Sequence, residues 1–376
     1  MRIFEIIEAS TNPLVANNRT WYRNLYEPLV ELGHEVILLP AEEGRQAMVR
    51  DDGTARALFS QKLLELFRLE HARKPIDLIF AYLMDGMVET GVLDELRKSG
   101  VPTCNFSCNN VHQFDLVDEL ASHFDFSLHA EKDVRQKFLR VGANPIWWPM
   151  ASNPHYFKPQ AVPRSLDASF VGANYALRAR YLAHLLENHV DVHIYGPGWL
   201  GRRRAYLRRY LLLLRTILAV SPKARYQTST AVAEHDQKLY LRSRFFNNLH
   251  NPISDEELIA LYSRSHISLG FLEVYEQHDA SRAVSQHLHL REFEAPMCGA
   301  LYCTGYMEEL AEMFEPDREI LTYRNQHELL DKVRYYLAHP VAAEQIRRAG
   351  RERALNEHTY HHRFKTLFRQ IGLKGD

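Results

Sequence analysis

The sequence is poor in cysteine. Only four occur in 376 residues, as two close pairs that both lack the CxxC spacing of zinc and redox motifs: Cys104, Cys108, Cys298 and Cys303. Neither a disulfide framework nor a structural zinc site is therefore predicted. Free thiols in a reducing compartment are the expected state of these side chains.

Net charge and long apolar runs are also lacking. The formal net charge is -1, which argues against a nucleic-acid partner, because such proteins usually carry a strongly basic domain. No apolar run approaches the roughly 18 residues of a transmembrane helix. The first ten residues, M-R-I-F-E-I-I-E-A-S, contain acidic residues and are not a signal peptide. We expect a cytoplasmic protein, with peripheral association on the inner face of the membrane as an open alternative.

Short apolar segments alternate with amphipathic ones along the first 150 residues. Apolar runs at 2–8, 34–39 and 76–82 predict buried strands, and the segments between them predict helices. This β-α order predicts a parallel sheet with helices on both faces. Four prolines between 149 and 164 then break helix and strand alike, which marks a linker, and the same alternation restarts at residue 167.

The pattern predicts an α/β fold of two Rossmann-like doubly wound domains that face each other across a cleft. The first domain spans 1–155. The second spans 165–355 and carries an insertion at 201–245, and residues 356–376 form a C-terminal helix that returns to the first domain. Ligands in such sheets bind at the carboxyl ends of the strands, so we expect the functional site in the cleft.

The insertion is rich in arginine and leucine, with six arginines between 202 and 215. A basic amphipathic helix of this kind can bind an anionic membrane surface. The alternative is a helix that packs on its own domain and leaves its arginines in solvent. If residues 201–220 bind a membrane, the protein should bind anionic liposomes, and salt should weaken this binding. Absence of binding at low salt would reject the membrane hypothesis.

The strongest chemical signal lies at 289–305, H-L-R-E-F-E-A-P-M-C-G-A-L-Y-C-T-G, which predicts a helix, a glycine and a short strand. A carboxylate such as that of Glu294, near a helix start, can accept two hydrogen bonds from a ribose diol. Arg291 can pair with a diphosphate, to which the helix N-terminus also contributes. The alternative is a surface ion pair between these two side chains, which lie three residues apart on a helix.

The ordered motifs of the second half resemble the CgeB-like branch of the group 1, family 4-like, glycosyltransferases, which have the GT-B fold. The likeness covers about 165–365 without the insertion, and the first half is only generally similar. The runs that carry it include S-F-V-G-A-N-Y-A-L-R at 169–178, I-Y-G-P-G-W at 194–199, R-E-F-E-A-P-M-C-G-A at 291–300 and A-G-R-E-R-A-L-N-E-H-T-Y at 349–360.

The resemblance implies a site for a nucleotide-sugar donor in the second domain. Glu294 would hold the ribose hydroxyls and Arg291 would face the diphosphate. The other implied donor-site residues are Gly172, Arg178, Gly196, Gly198, His289, Thr304, Gly305 and Tyr306. Two positions depart from the family pattern, because Gln286 stands where family 4 enzymes often have a second Glu and His289 stands where Asn is usual. Nucleotide binding is therefore better supported than any particular sugar.

Polar residues after strands of the first domain are candidates for the acceptor side. The acceptor-binding candidates are Asn17, Arg19, Asn109 and Asn110, and the candidates for a general base are His112, Asp115 and His129. A structural or solvated role is the alternative for each of the three possible bases. An inverting enzyme would need one of them, whereas a retaining enzyme would not, and the resemblance favours retention.

No metal and no cofactor are predicted. The histidine-rich runs at 287–289 and 358–362 lack carboxylate or cysteine partners at ligand spacing. The resemblance implies that arginines and a helix dipole take the place of a divalent ion, and that the nucleotide sugar is a co-substrate.

The sequence thus predicts a glycosyltransferase, with hexose transfer favoured. It would move a sugar from a UDP-, GDP- or dTDP-linked donor to a hydroxyl of a glycan, lipid or protein, as in polysaccharide biosynthesis. Two alternatives stay open. One is a sugar-nucleotide epimerase on the same fold, which would convert its substrate with no acceptor present. The other is a non-catalytic nucleotide-sugar-binding protein.

Overall fold

The computed structural model describes residues 1–9, 19–200, 222–275 and 284–374, with five further positions between 211 and 218. By the density of internal contacts the chain divides into two compact units. Unit 1 comprises Met1–Tyr156 and Glu357–Asp376, and unit 2 comprises Phe157–Asn356.

Unit 1 contains a six-stranded parallel sheet in the spatial order β2-β1-β3-β4-β5-β6. Its strands are β1 (Arg2–Ile7), β2 (Glu35–Pro40), β3 (Leu78–Ala81), β4 (Thr103–Ser107), β5 (Phe126–His129) and β6 (Pro145–Trp147). Every residue of β1, β3 and β4 is buried, as expected for parallel strands that are covered on both faces.

The helices of unit 1 cover both faces of this sheet. Residues 19–31 form one helical run with a π-helical stretch at Tyr22–Tyr26, and the other helices are Glu42–Arg50, Gly53–Arg73, Thr90–Lys98, Asn110–Gln113, Arg135–Arg140 and Tyr360–Gln370. Phe67 packs on Phe4 of β1 with ring centroids 5.8 Å apart. Phe364 of the C-terminal helix packs 5.2 Å from Phe80 of β3, whose side chain points to the face opposite those of Ile79 and Ala81.

Unit 2 contains a second six-stranded parallel sheet, in the order β14-β13-β10-β7-β8-β9, and a separate antiparallel hairpin β11–β12. The strands are β7 (Leu166–Val171), β8 (Val192–Tyr195), β9 (Leu249–His250), β10 (Ser265–Leu269), β11 (Glu273–Tyr275), β12 (Val284–Gln286), β13 (Tyr302–Gly305) and β14 (Leu321–Tyr323). The chain winds outward from β7 in one direction and from β10 in the other, so the loops after β7 and β10 form the switch point where doubly wound sheets bind ligands.

The helices of unit 2 surround this sheet, and its core lies between helices and strands. They are Arg178–Glu187, Pro222–Arg244, Asp255–Arg264, Arg291–Met297, Glu308–Met313, Gln326–Ala338 and Pro340–Glu357. A capping box of Ser254 and Glu257 fixes the start of the helix Asp255–Arg264. Buried residues such as Phe170, Leu182 and Ile267 belong to one continuous apolar core.

The prediction of two parallel α/β sheets is confirmed, but strands β9 and β14 and the hairpin β11–β12 of unit 2 were not predicted. Strand β9 has two residues, and β14 and the hairpin strands have three each, which is too short for a hydrophobic period to show.

Most of the proposed membrane segment 201–220 lies outside the described residues, so its membrane role stays a prediction. Among its described positions, Leu211, Ile217 and Leu218 are each more than half exposed. The end of the insertion forms the helix Pro222–Arg244, whose Leu241 is buried in the core of unit 2. Within the described ranges, no helix has the length and apolarity needed to cross a membrane.

Candidate functional site

Arg178 ties together the two loops of the switch point in unit 2. Its guanidinium donates to the carbonyl of Ala173 after β7 at 3.1 Å and to the carbonyl of Phe271 after β10 at 3.3 Å. It also lies over the ring of Tyr175 at 3.7 Å and 3.3 Å from Nε2 of His289. The side chain is 2% exposed, and burial lowers its pKa to about 10, so it stays charged at neutral pH.

The glycines after β7 and β8 lie in backbone contact. Gly196 has φ 138°, and a Cβ atom there would lie 2.7 Å from the carbonyl carbon of Gly172. Only glycine fits such a position, because it tolerates this φ and adds no side chain. Gly198 also has a left-handed backbone, with φ 86°. The two turns predicted to line the donor are therefore packed directly against each other.

Two residues that the sequence did not single out hold these turns. Trp199, which is 1% exposed, donates from Nε1 to the carbonyl of Gly172 at 2.7 Å. Arg242, near the end of the insertion, donates to the carbonyls of Trp199 at 2.6 Å and Gly198 at 2.9 Å. Part of the insertion thus braces the loop after β8. The run I-Y-G-P-G-W gave a signal for Trp199, but nothing in the sequence pointed to Arg242.

Glu292, also not predicted, organises the segment ahead of β13. Its carboxylate is fully buried and accepts from the backbone N–H of His289 at 2.6 Å, the hydroxyl of Tyr302 at 3.1 Å and the hydroxyl of Thr304 at 3.5 Å. Thr304 is itself 0% exposed. The structure therefore gives Thr304 a supporting role behind the site and leaves it no open face toward a ligand.

The side chain of Glu294 points in a different direction from that of Glu292, because residues two positions apart on a helix are rotated by about 200° around its axis. It is 5% exposed, yet its carboxylate makes no hydrogen bond and no ion pair with any residue that the structure describes. Burial, together with the nearby charge of Asp255, raises the pKa of Glu294 to about 8, although Arg291 counteracts the shift. A carboxylate buried without partners is ready to accept hydrogen bonds from a ligand.

Arg291 likewise has no hydrogen-bond or ion-pair partner within the described part of the chain. The alternative of a simple ion pair between Arg291 and Glu294 is therefore not what the structure shows. Arg291 lies close enough to Arg178 for its charge to lower the pKa of Arg178. The carboxylates of Glu292 and Glu294 lie near enough to act on Arg291 electrostatically, but neither forms an ion pair with it.

The remaining predicted donor-site residues lie at the end of β13. The N–H of Tyr306 donates to Tyr323, and its ring lies 4.0 Å from the guanidinium of Arg324. Gly305 is buried, and the amide of Gln286 donates to the carbonyl of Tyr306 at 3.2 Å. Gln286 thus binds the backbone at the position where family 4 enzymes often have a second Glu.

The hairpin nevertheless carries a carboxylate, on the strand opposite Gln286. Glu273 is the register partner of Gln286 in the β11–β12 pair and is 9% exposed. Burial raises its pKa, and the charge of Arg178 opposes that shift. No sequence pattern pointed to Glu273, because the pairing of the two short strands is visible only in the fold.

The acceptor-side candidates of unit 1 separate into exposed and buried groups. Arg19 and Asp115 are exposed, and His112 and Asn109 are partly buried. Asn110 is 1% exposed and accepts from the hydroxyl of Ser107 at 3.1 Å, so it is a structural residue of the loop after β4. Asn17 lies outside the described residues.

His129 does not reach the surface. It is 0% exposed, its Nδ1 lies 2.9 Å from the carbonyl oxygen of Glu131, and its ring stacks on Phe138. Burial lowers its pKa to about 4, so the imidazole is neutral at physiological pH. A neutral imidazole is a possible base, but one enclosed in the protein cannot meet an acceptor, and His112 and Asp115 remain as candidates.

Similar solved structures identify the fold. A sucrose-phosphate synthase from Thermosynechococcus elongatus matches with a TM-score of 0.58 at 14% identity over 99% of both chains. A glycosyltransferase from Rickettsia africae gives 0.58 at 12% identity over 98% of this chain and 97% of that one. HepE of Anabaena in complex with UDP gives 0.54 at 11% identity over 99% and 100%. The fold is that of the GT-B glycosyltransferases.

The sequence itself identifies the family. Residues 178–369 match the profile of a family described as "Glycosyl transferase-like", which is more than half of the chain, so the protein belongs to this group of glycosyltransferases. The match begins at Arg178 and includes the helix with Arg291 and Glu294. A comparison with curated proteins gave no match.

Proposed function

We propose that the protein transfers a hexose from a nucleotide-sugar donor to a hydroxyl group of a glycan, lipid or protein, and that unit 2 binds the donor. The observation that carries this proposal is the carboxylate of Glu294. It is buried but has no hydrogen-bond partner among the described residues. Two adjacent hydroxyls, such as those of a ribose, would satisfy both oxygens of the ionised carboxylate.

The diphosphate of the donor would bind at the two arginines. Arg178 and Arg291 influence each other electrostatically, and neither forms an ion pair with a described residue. Two guanidinium groups can neutralise a diphosphate with charge-assisted hydrogen bonds. This supports transfer without a divalent ion, because the protein supplies the positive charge that a metal would otherwise provide.

The sugar and the nucleobase are proposed from the relatives. HepE of Anabaena has been solved with UDP-glucose, which favours UDP as the first nucleotide to test. The motif likeness to the CgeB-like branch supports placing the protein there, with a role in polysaccharide biosynthesis.

We propose that unit 1 binds the acceptor, with His112 or Asp115 near its hydroxyl, and that the anomeric configuration is retained. NMR of the product tests the last point, since an inverted anomer would contradict it.

Screening nucleotides by thermal shift tests the proposed function. We expect one of UDP, GDP and dTDP, and its sugar conjugates, to raise the melting temperature of the full-length chain. At 100 times the dissociation constant, binding adds about 2.7 kcal/mol, equivalent to roughly 5–10 °C for a unit of this size. No shift with any nucleotide would contradict a donor site. Conversion of the bound nucleotide sugar without an acceptor, followed by NMR, would instead support an epimerase.

A further inference from the structure

Three potential metal ligands from distant parts of the sequence meet in unit 1. Nε2 of His361 lies 2.6 Å from Oε2 of Glu31, and Nε2 of His155 lies 3.9 Å from the same oxygen. One ligand atom from each residue lies within 4.8 Å of the other two. Glu31 ends the helical run 19–31, His155 follows β6, and His361 lies in the first turn of the C-terminal helix.

Contacts outside the cluster hold these segments in place. Asn153, two residues before His155, is fully buried, donates to the carbonyl of Arg23 at 2.8 Å and accepts from the backbone N–H of His155 at 2.9 Å. Its own N–H donates to the side chain of Asn24 at 3.1 Å. The chain that carries His155 is therefore fixed to the helix that carries Glu31.

The C-terminal helix is fixed to the same segment. The N–H of Ser152 donates to the carbonyl of His358 at 3.1 Å, and the N–H of Tyr360 donates to the carbonyl of Ser152 at 3.3 Å. Thr359 caps the helix by accepting from the N–H of His362 at 3.2 Å. The backbone around His361 is thus set by contacts that do not involve the cluster, so the segments that carry the ligands are held near one another.

We propose that Glu31, His155 and His361 form a binding site for a divalent transition metal, with zinc as the best match. Two imidazole nitrogens and one carboxylate are a common zinc donor set, and three protein ligands leave one position for water. Zinc binds such atoms at about 2.0–2.2 Å in a tetrahedron, which places neighbouring ligand atoms roughly 3.3–3.5 Å apart. The observed 2.6 and 3.9 Å bracket that separation, so small side-chain rotations suffice.

The exposure of the two histidines suits this role. The side chain of His361 is 17% accessible and already lies against Glu31. His155 is mostly exposed, with 69% of its side chain accessible, and can rotate toward the ion. On binding, the metal would replace the hydrogen bond between Nε2 of His361 and Oε2 of Glu31.

Metal binding would link the C-terminal helix of unit 1 to the helical run 19–31. Glu31 and His361 are 330 residues apart in sequence, which is why the histidines at 358–362 showed no carboxylate at ligand spacing. A ligand that binds only the folded unit stabilises it by mass action. The site belongs to unit 1, whereas Arg178, Arg291 and Glu294 belong to unit 2, so this proposal is independent of the donor site.

Titration of the tag-free full-length chain with zinc chloride in the calorimeter tests the proposal. We expect one zinc ion per chain with a dissociation constant in the low micromolar range or below. His361→Ala should weaken binding by about 100-fold, and Glu31→Gln and His155→Ala by about 10- to 100-fold each. Zinc should also raise the melting temperature of the wild type and fail to raise that of His361→Ala.

Because the chain has twenty histidines, a control must exclude adventitious binding. His339→Ala removes an exposed histidine of unit 2 and should bind zinc as the wild type does. Equal circular dichroism of all variants in EDTA shows that the apo proteins are folded. The proposal is contradicted if the folded wild type binds no zinc at 100-fold excess, or if His361→Ala and His155→Ala both bind it with unchanged affinity.

Discussion

Replacing Glu294 by Gln should weaken nucleotide binding about 100-fold and at the same time make the ligand-free protein more stable. Two hydrogen bonds from the ribose to an ionised carboxylate, at about 1.5 kcal/mol each, account for the loss of affinity. The gain in stability arises because the carboxylate of Glu294 is buried with no partner among the described residues. Opposite changes in binding and stability are the signature of a residue kept for function.

The sign of the stability change follows from the pKa of Glu294. Burial raises it from 4.5 to about 8 in the folded protein, so the folded state binds the proton more tightly than the unfolded chain. The stability of the wild type should therefore fall as pH rises from about 4.5 through about 8. Glutamine carries no charge, but its buried amide also lacks a partner. We expect a net gain of about 1–3 kcal/mol at pH 8.

Thermal melts of the variant between pH 5 and 9, with and without nucleotide, measure both effects. Glu352→Gln, an exposed substitution in the same unit, is the matched control and should change neither stability nor binding. If Glu294→Gln lowers the melting temperature and leaves nucleotide affinity unchanged, Glu294 is a structural residue and the site assignment is wrong.

Arg178→Ala should abolish detectable sugar transfer and lower the stability of unit 2. The substitution leaves the carbonyls of Ala173 and Phe271 without their donor and removes one of two positive charges proposed to face the diphosphate. We expect a loss of about 2–4 kcal/mol, or roughly 5–15 °C in melting temperature. Arg178→Lys keeps the charge but loses the planar guanidinium and its paired N–H donors, so it should retain only part of the sugar-transfer activity.

The effect on binding must be separated from the effect on stability. Nucleotide titrations at a temperature where circular dichroism shows both proteins folded achieve this. Arg180→Ala removes an exposed arginine two positions along the same helix and serves as the matched control. Nucleotide affinity of Arg178→Ala equal to that of Arg180→Ala would show that Arg178 acts only in folding.

The alternation of apolar and amphipathic segments was enough to predict both sheets, because buried parallel strands are continuous apolar runs. In β3 every residue is both apolar and buried, so the sequence shows the strand directly. The same rule fails for β9 and for the hairpin, where strands of two or three residues are defined by their neighbours in space. Register, such as that between Glu273 and Gln286, is a tertiary property and could not be predicted.

The candidate site was predictable where residue type and motif order both pointed to it. Glu294 and Gly196 occupy such positions, one buried without a described partner and the other in a backbone contact that only glycine allows. Glu292 differs from Glu294 only in direction around the helix, and two of its three hydrogen bonds come from Tyr302 and Thr304 of β13, which becomes its neighbour only in the fold.

Residues that follow strands were overestimated as site residues. Asn110 and His129 both lie where a parallel sheet binds ligands, but both are buried by the elements that follow them. A polar residue at that position can form hydrogen bonds inside the protein instead of binding a ligand, as Asn110 and His129 do. Arg242 is the opposite case, since a residue far along the insertion reaches back to the loop after β8.

Calorimetric titration of the stabilising nucleoside diphosphate at pH 7 and pH 9 tests the central claim most directly. With a pKa of about 8, the ionised fraction of Glu294 rises about tenfold between these pH values. The affinity of the wild type should therefore rise about tenfold, while Glu294→Gln should bind weakly at both pH values without this increase. Equal affinities for the two proteins, with the same dependence on pH, would show that Glu294 does not hold the donor.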